Sequence, residues 1–477
     1  MNREVASSTR AVGWGDPSLP RFTSAGQDGA NGVAIQSESA EGDFGWISGV
    51  FAAHLVLGFA MFYFRQLAGV HALIVFGVGI WAATRKPPVV VACVAAYIAG
   101  SEVLWRLMQA PVPYEIGKYS IVTLFGISLL RMGRRAKWQS LALVYFLLLL
   151  PSILVPLGDS QLGLDNIRMR VSFNLSGPLA LSMSVLFLSQ VTLTPSNFRR
   201  ILVAYIGPSI ALAVATLIAT YTAKDLVFTG ESNTITSGGF GPNQVSATLG
   251  IAAMFALLLA IDKKSTMWNK IVAAGSVLLL ATQSAMTFSR GGLYVAALAL
   301  LLGAPFLLSD RRMRRAFFGV CAVSGVAMAV AIIPRLQQFT GGALETRFSD
   351  SNPTNRGELI RDDLRIWFDH PILGVGPGGV KGHRDEVGGS GHTEYSRLLA
   401  EHGVFGFAAL MTLCVMALQV LVKREDRVSH GLRITLLVAS GLSMSTAAMR
   451  IALFALMFGL AHAHFSSPSR LSGSLKS

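Results

Sequence analysis

NRGELIRDDLRIWFDHPILGVGPGGVKGHRDEVGGSGHTEYSRLLAEHGVFG runs from Asn355 to Gly406 and decides how the chain reads. It is the one long run beyond residue 50 that is dense in charge, histidine and glycine together, and apolar sequence flanks it on both sides. From Arg356 to Asp369 the apolar residues Leu359, Ile360, Leu364 and Trp367 recur at helical spacing, with Arg356, Arg361 and Arg365 on other faces. Pro371 ends that predicted helix, and GVGPGG at 374–379 reads as a flexible turn. A second helix is predicted to begin near His392 and run into the next apolar span, with Gly403 and Gly406 allowing close packing at its entry.

The rest of the chain says what solvent surrounds this island. Charged residues make up 14% of the 477 and the mean hydropathy is +0.53, against about 25% charged in soluble domains. Windows of about 20 apolar residues, the length that crosses a bilayer, fall near 45–64, 68–84, 88–108, 116–131, 138–157, 173–195, 199–221, 240–261, 268–288, 291–309, 316–334, 398–422, 431–447 and 449–466. The fold class expected is an all-α polytopic membrane protein with about twelve to fourteen transmembrane helices.

The formal charge of +14 does not point to nucleic acid, because the basic residues sit in short clusters between apolar runs. Alternate loops carry Arg85-Lys86; Arg131, Arg134, Arg135 and Lys137; Arg199-Arg200; Lys263, Lys264 and Lys270; Arg311, Arg312, Arg314 and Arg315; and Lys423, Arg424, Arg427 and Arg433. These six loops share a side if the spans are right, and the positive-inside rule makes that side cytoplasmic, together with both termini. Residues 1–43 are polar, lack the apolar core of a signal peptide and read as a disordered cytoplasmic tail. Cys93, Cys321 and Cys414 lie inside apolar runs as small hydrophobes, with no disulfide framework. Segments 158–172, 222–240 and 335–397 then fall outside, and the arginines of the last call for an anionic ligand.

HPILGVGPGGV followed by GHTEYSRLLAEHGVFG resembles the signature region of the O-antigen ligase and polymerase superfamily, bacterial inner-membrane proteins that move glycans from undecaprenyl pyrophosphate carriers. In the ligase pattern a His with a small polar neighbour is followed, after nine residues, by Gly-x-x-Gly. Here His392-Thr393 precedes Gly403-Val404-Phe405-Gly406, with Thr where the pattern favours Asn, Ser or Gln. Arg356 with Ile360 matches an Arg followed four residues on by Leu; Ser289-Arg290-Gly291 matches a Ser-Arg-Gly at an outer span end; and the GPN at 241–243 resembles the family's Asn-bearing span entry. YIAGSEVLWRLM at 97–108 is not part of the ligase pattern, which leaves room for an exopolysaccharide polymerase.

The resemblance implies a GT-C-like fold and a chain divided into a tail at 1–43, a transmembrane bundle at 44–334, a periplasmic catalytic loop with short helices at 335–397, C-terminal transmembrane helices at 398–466 and a tail at 467–477. It implies a metal-independent glycosyltransferase without cofactor. The donor is an undecaprenyl-pyrophosphate-linked glycan, and the acceptor is lipid A-core or, for a polymerase, a second carrier-linked glycan. A departing pyrophosphate develops negative charge that guanidinium groups stabilise. Arg290 and Arg356 are the expected groups, the first because a charge at the mouth of a span is costly unless functional. His392 supplies a base of near-neutral pKa for the acceptor hydroxyl. Arg168, Arg170, Asn243, Arg450 and Glu394 are candidate substrate contacts. Plainer roles exist for each: snorkelling for Arg290, a solvated helix face for Arg356, and a helix-opening hydrogen bond for His392.

Arg361, Arg365, Arg384 and Arg397 read as surface or structural. His383, Asp385, Glu386 and His392 match no metal-site spacing, and GVGPGG lacks the Gly-Lys-Ser/Thr of a phosphate loop. A lipid-linked oligosaccharide flippase is the competing class. It calls for charges within the spans and two related halves, and the sequence reads as having neither.

Overall fold

The computed structural model describes residues 46–133, 139–224, 226–228, 231–350, 356–384, 393–423, 425–446 and 450–466, with the helical position but not the side chain of Arg356. The two tails, and with them the expectation of disorder at 1–43, lie outside the described residues, as do His392, Asp385 and Glu386.

The structure is helical almost throughout. In chain order the helices are α1 (Trp46–Tyr63), α2 (Gln66–Arg85), α3 (Pro88–Leu107), α4 (Ile116–Met132), α5 (Ser140–Leu147), α6 (Leu154–Gly158), α7 (Leu164–Leu188), α8 (Pro195–Thr222), α9 (Pro242–Ala260), α10 (Met267–Met286), α11 (Gly291–Leu307), α12 (Arg311–Ala327), α13 (Ile333–Thr340), α14 (Ala343–Ser349), α15 (Arg356–Asp369), α16 (Glu394–Leu421), α17 (Arg427–Ser443) and α18 (Leu453–His462). The strands among the described residues are the two-residue β1 (Thr192–Leu193) and β2 (His464–Phe465), paired in parallel. An apolar environment leaves backbone polar groups no partner but their own segment, which is why the spans are helices.

Nine helical stretches are long and apolar enough to cross a membrane among the described residues, and α11 and α18 are apolar but shorter. Each of the fourteen windows read from the sequence contains helix, although 173–195 runs past the end of α7 into β1 and 449–466 holds only the ten residues of α18 before β2. The difference in number arises because α4 and α17 are short and α10 carries more polar residues. The protein is an all-α polytopic membrane protein. The stretch Arg311–Thr340 is helical past residue 334, and none of its apolar window is buried, as suits a helix against lipid.

Small residues let the inner helices meet backbone to backbone, the usual means of packing where no hydrophobic drive separates protein from solvent. A Cβ on Gly292 of α11 would stand 2.0 Å from the Ser246 carbonyl of α9, and one on Gly100 of α3 would stand 2.6 Å from the Tyr205 carbonyl of α8.

The basic loops meet one another. Arg131 donates to the Lys86 carbonyl, Arg199 pairs with Asp262 at 2.7 Å, and Lys263 pairs with Asp310 at 2.6 Å. Arg433 pairs with Glu425 at 2.6 Å and donates to the Ala461 carbonyl at 3.0 Å. The His464 amide donates to Val191 at 2.9 Å, beside the start of α8. At the other end the polar segments come together, and there the structure departs from the sequence reading. Glu102 and Arg106 in α3 and Lys118 in α4 are buried charges within helices expected to span, so the inference that the spans carry none is corrected.

Candidate active site

The core of the polar end is a break in α16. Gly403 has φ 59° and ψ −136°, a left-handed geometry that divides the helix into a short polar segment, residues 394–402, and an apolar span. The break frees two carbonyls, and the glycine loop caps them: Val375 N–H donates to Ala400 at 2.9 Å and Gly376 N–H to Glu401 at 3.0 Å. Val404 N–H in turn donates to Pro371 at 2.8 Å. A Cβ on Gly374 would lie 2.4 Å from the Ala400 carbonyl, so this approach requires glycine. The GVGPGG segment is therefore a fixed wedge, not the flexible turn expected, because its amides cap the carbonyls of the broken helix.

Helix α15 rests on the same half of α16. Asp363, which is buried, pairs with Arg384 and accepts from Ser396 Oγ at 2.6 Å. Ile366, Val375, Val380 and Ala400 form a small core beneath it. Arg384 is thus structural, as read.

The polar half of α16 carries a buried charge network. Thr393 Oγ1 accepts from the Ser396 amide at 3.3 Å, and the Glu394 amide donates to Met444 at 2.8 Å. Arg397 donates to Glu394 Oε2 at 2.9 Å, to Asn174 Oδ1 at 2.9 Å and to Glu401 Oε2 at 3.0 Å. Of the two roles expected for Arg397, surface or structural, the structure shows the second: it joins α16 to α7. His402, one residue before the break, shares a 2.6 Å hydrogen bond with Ser152 Oγ.

A second network lies on α3 and α4. Arg106 donates to Glu102 Oε1 at 2.5 Å, to Gln244 Oε1 at 3.0 Å and to the Arg450 carbonyl at 2.8 Å. Glu102 Oε2 accepts from the Ala452 amide at 2.7 Å. Lys118 pairs with Glu115, whose Oε2 also accepts from Ser176 at 3.2 Å. Isolated ions in such a place cost several kcal/mol each, and mutual pairing offsets that cost. The sequence reading noticed YIAGSEVLWRLM only as a departure from a pattern. The signal that would have found the pair is an acid and a base four apart on one face of an apolar helix.

The predicted residues fall as follows. Asn243 Oδ1 accepts from Ser289 Oγ at 2.8 Å, and Ser289's carbonyl accepts from Ser246 at 2.7 Å. Arg290 caps the start of α11, half-buried, and its guanidinium donates to the Asp350 carbonyl just beyond α14. Phe288, two residues earlier, holds a left-handed φ of 56°, rare for a bulky side chain. Arg347 of α14 braces it, with Nε donating to the Phe288 carbonyl at 3.1 Å. Burial, and then the nearby Arg290 charge, push the Arg347 guanidinium below its ordinary pKa.

Arg356 opens α15 six residues beyond Asp350. His392 is outside the described residues, and its neighbours Thr393 and Glu394 are pinned to the end of α17. Arg450, half-buried, accepts Arg106 on its carbonyl, and the charges of Glu394, Arg397 and Arg106 act on its guanidinium. Gly291 lies against Thr446, where a Cβ would be 3.7 Å from the Thr446 methyl. The structure so brings Asn243, Arg290, Glu394 and Arg450 to one neighbourhood. Arg170 borders it through Asn174, whose Nδ2 donates to the Arg170 carbonyl and whose Oδ1 accepts from Arg397. Arg168 is exposed and lines a separate cavity between α4 and α7. Among the described residues no group of three or more His, Cys, Asp or Glu is arranged to hold a metal.

These features define a polytopic membrane protein with polar and charged side chains gathered at one end of its bundle, the walls of a proposed chamber, next to a broken helix. Residues 274–411, from α10 into the apolar half of α16, match the family model described as O-Antigen ligase. The match spans less than a third of the chain, contains Ser289-Arg290-Gly291, Arg356, His392 and Gly403, and supports the likeness to the O-antigen ligase superfamily that the motifs carry. It supports a membrane enzyme of the glycan-transferring type, acting on lipid-linked glycan and an acceptor in general terms. No curated protein matches the chain.

Proposed function

We propose that the protein transfers a glycan from undecaprenyl pyrophosphate to an acceptor hydroxyl at the periplasmic face of the bacterial inner membrane. Both termini are then cytoplasmic, on the side of the basic loops. The acceptor is lipid A-core in the ligase reading and a second carrier-linked repeat unit in the polymerase reading.

In the reaction the acceptor oxygen bonds to the anomeric carbon and the bond from that carbon to the pyrophosphate oxygen breaks. The electron pair leaves with the diphosphate, and the hydroxyl proton passes to the His392 imidazole. Arg290, Arg356 and Arg450 neutralise the diphosphate, Asn243 and Glu394 set the chamber wall, and no metal or cofactor takes part. Arg170 borders the same chamber. The single observation that carries this reading is the meeting of the Arg290 cap, the Arg450 turn and the first turn of α16, three segments remote in sequence, at one end of the bundle.

A flippase gains some ground from the buried charges of α3 and α4. Those charges are nevertheless compensated by one another and by carbonyls, a bracing arrangement in which no charged path is left open. Transfer by purified protein in vitro, with lipid A-core and carrier-linked repeat units offered in parallel, tests the proposal. Product with neither acceptor, from protein that still binds donor, would refute it.

A further inference from the structure

Tyr114 and Glu115 on the α3–α4 turn and Tyr119 in α4, with Asp165, Arg168 and Ser172 on α7, line a half-open cavity of about 550 Å³. That volume lies within the ~300–1,000 Å³ typical of small-ligand sites. We propose that this cavity is a saccharide subsite that takes one or two sugar rings of the glycan; the proposal rests on the transferase reading and extends it to the recognition of sugar.

Four observations carry it. Glu115 is 6% exposed and its Oε1 has no hydrogen-bond partner among the described residues, although Oε2 is engaged by Lys118 and Ser176. A buried carboxylate oxygen without a donor is a standing cost, and a sugar hydroxyl is a donor of the right size. Two tyrosines border the space, each offering an apolar ring and a hydroxyl, the combination that suits the C–H face and the hydroxyl rim of a pyranose. Tyr119 and Ser172 already hydrogen-bond each other, so their hydroxyls form a ready polar edge. The Glu115 and Asp165 carboxylates are matched by the Lys118 ammonium and the Arg168 guanidinium, so no excess positive charge is left to draw a phosphate, and a neutral, hydroxyl-rich ligand is favoured. Arg168 therefore serves sugar here, not carrier phosphate.

The cavity is also connected to the chamber. The Arg106 guanidinium lies 4.0 Å from the Tyr114 ring centroid, and its Nη1 donates to the Arg450 carbonyl at 2.8 Å. A sugar held against Tyr114 is thus one guanidinium away from the turn that presents Arg450.

Saturation-transfer NMR on the full-length protein in detergent tests this, with glucose, galactose, mannose and N-acetylglucosamine offered singly at millimolar concentration and inorganic phosphate as competitor. Expected is transfer to at least one sugar, reduced several-fold in Tyr114→Ala, Glu115→Gln and Asp165→Asn, and unaffected by phosphate. Asp165 is exposed at the start of α7, so Asp165→Asn reports even where a buried variant fails to fold. Absence of signal for all four sugars, equal signal in wild type and Asp165→Asn, or displacement by phosphate would overturn the subsite. Because the readout is binding, it is separable from catalysis. Sugar binding with no transfer to any acceptor would count against the transferase reading alone, and transfer without sugar binding in this cavity against the subsite alone.

Discussion

The backbone amide of Glu394 donates to the carbonyl of Met444 at 2.8 Å. This bond joins the first turn of α16 to the end of α17, fifty residues apart in sequence. It holds the segment that follows His392 against the turn that leads to Arg450. Two parts of the chamber that no local pattern connects are therefore fixed by one peptide hydrogen bond, which no side-chain substitution at either position removes.

His392→Ala is expected to lower transfer by about 100-fold or more, the scale of a lost general base, with protein level and melting temperature unchanged. Surface glycan in a deletion strain and initial rates in vitro both read this. Normal glycan at normal protein level would remove His392 from the mechanism.

Arg290→Ala and Arg356→Ala are each expected to reduce kcat by roughly 100- to 1,000-fold, as for removal of one donor from a developing anion. The lysine variants should recover part of the loss, because the charge returns without its bidentate fork. Arg450→Ala belongs in the same series. Rates that fall equally with Lys and Ala would indicate a packing role instead.

Gly403→Ala is expected to unfold or inactivate the protein. The residue has φ 59°, and a Cβ there would stand 2.4 Å from the Ile372 carbonyl, a backbone atom that cannot step aside. Gly406→Ala also meets backbone, the Leu398 carbonyl at 1.9 Å, so it is expected to be similarly damaging. Gly357→Ala, on α15 with no atom nearer than 4.0 Å, is the tolerated control. Melting in detergent by intrinsic fluorescence distinguishes the three, and a Gly403→Ala protein as stable as wild type would contradict the account of the kink.

Arg106→Met leaves Glu102 buried without its cation, a change worth about 3–5 kcal/mol in comparable buried pairs. The double variant Glu102→Met with Arg106→Met should regain a large part of that stability, since it removes both ions. Chemical or thermal melts of the two singles and the double form the cycle. A double variant less stable than either single would show that the two side chains act separately.

The helices were legible because membrane solvation writes itself on composition: each predicted window contains helix, and the basic clusters that alternate along the chain do meet. Ser289-Arg290-Gly291 and Glu394 were legible as motif residues, and the structure places them on one end of the bundle. The glycine wedge was misread. A run of glycines looks the same whether it moves freely or is the one composition that fits against a broken helix.

By itself the sequence determined the solvent and the largely helical secondary structure, both of which depend on residues close together in the chain. Only the tertiary structure decided which charges belong together. Arg106 finds the Arg450 carbonyl across 344 positions and Arg397 finds Asn174 across 223. A charge buried in a helix bundle is tolerable only with a partner, and the partner's identity is settled by how the helices pack, which no local stretch of sequence encodes.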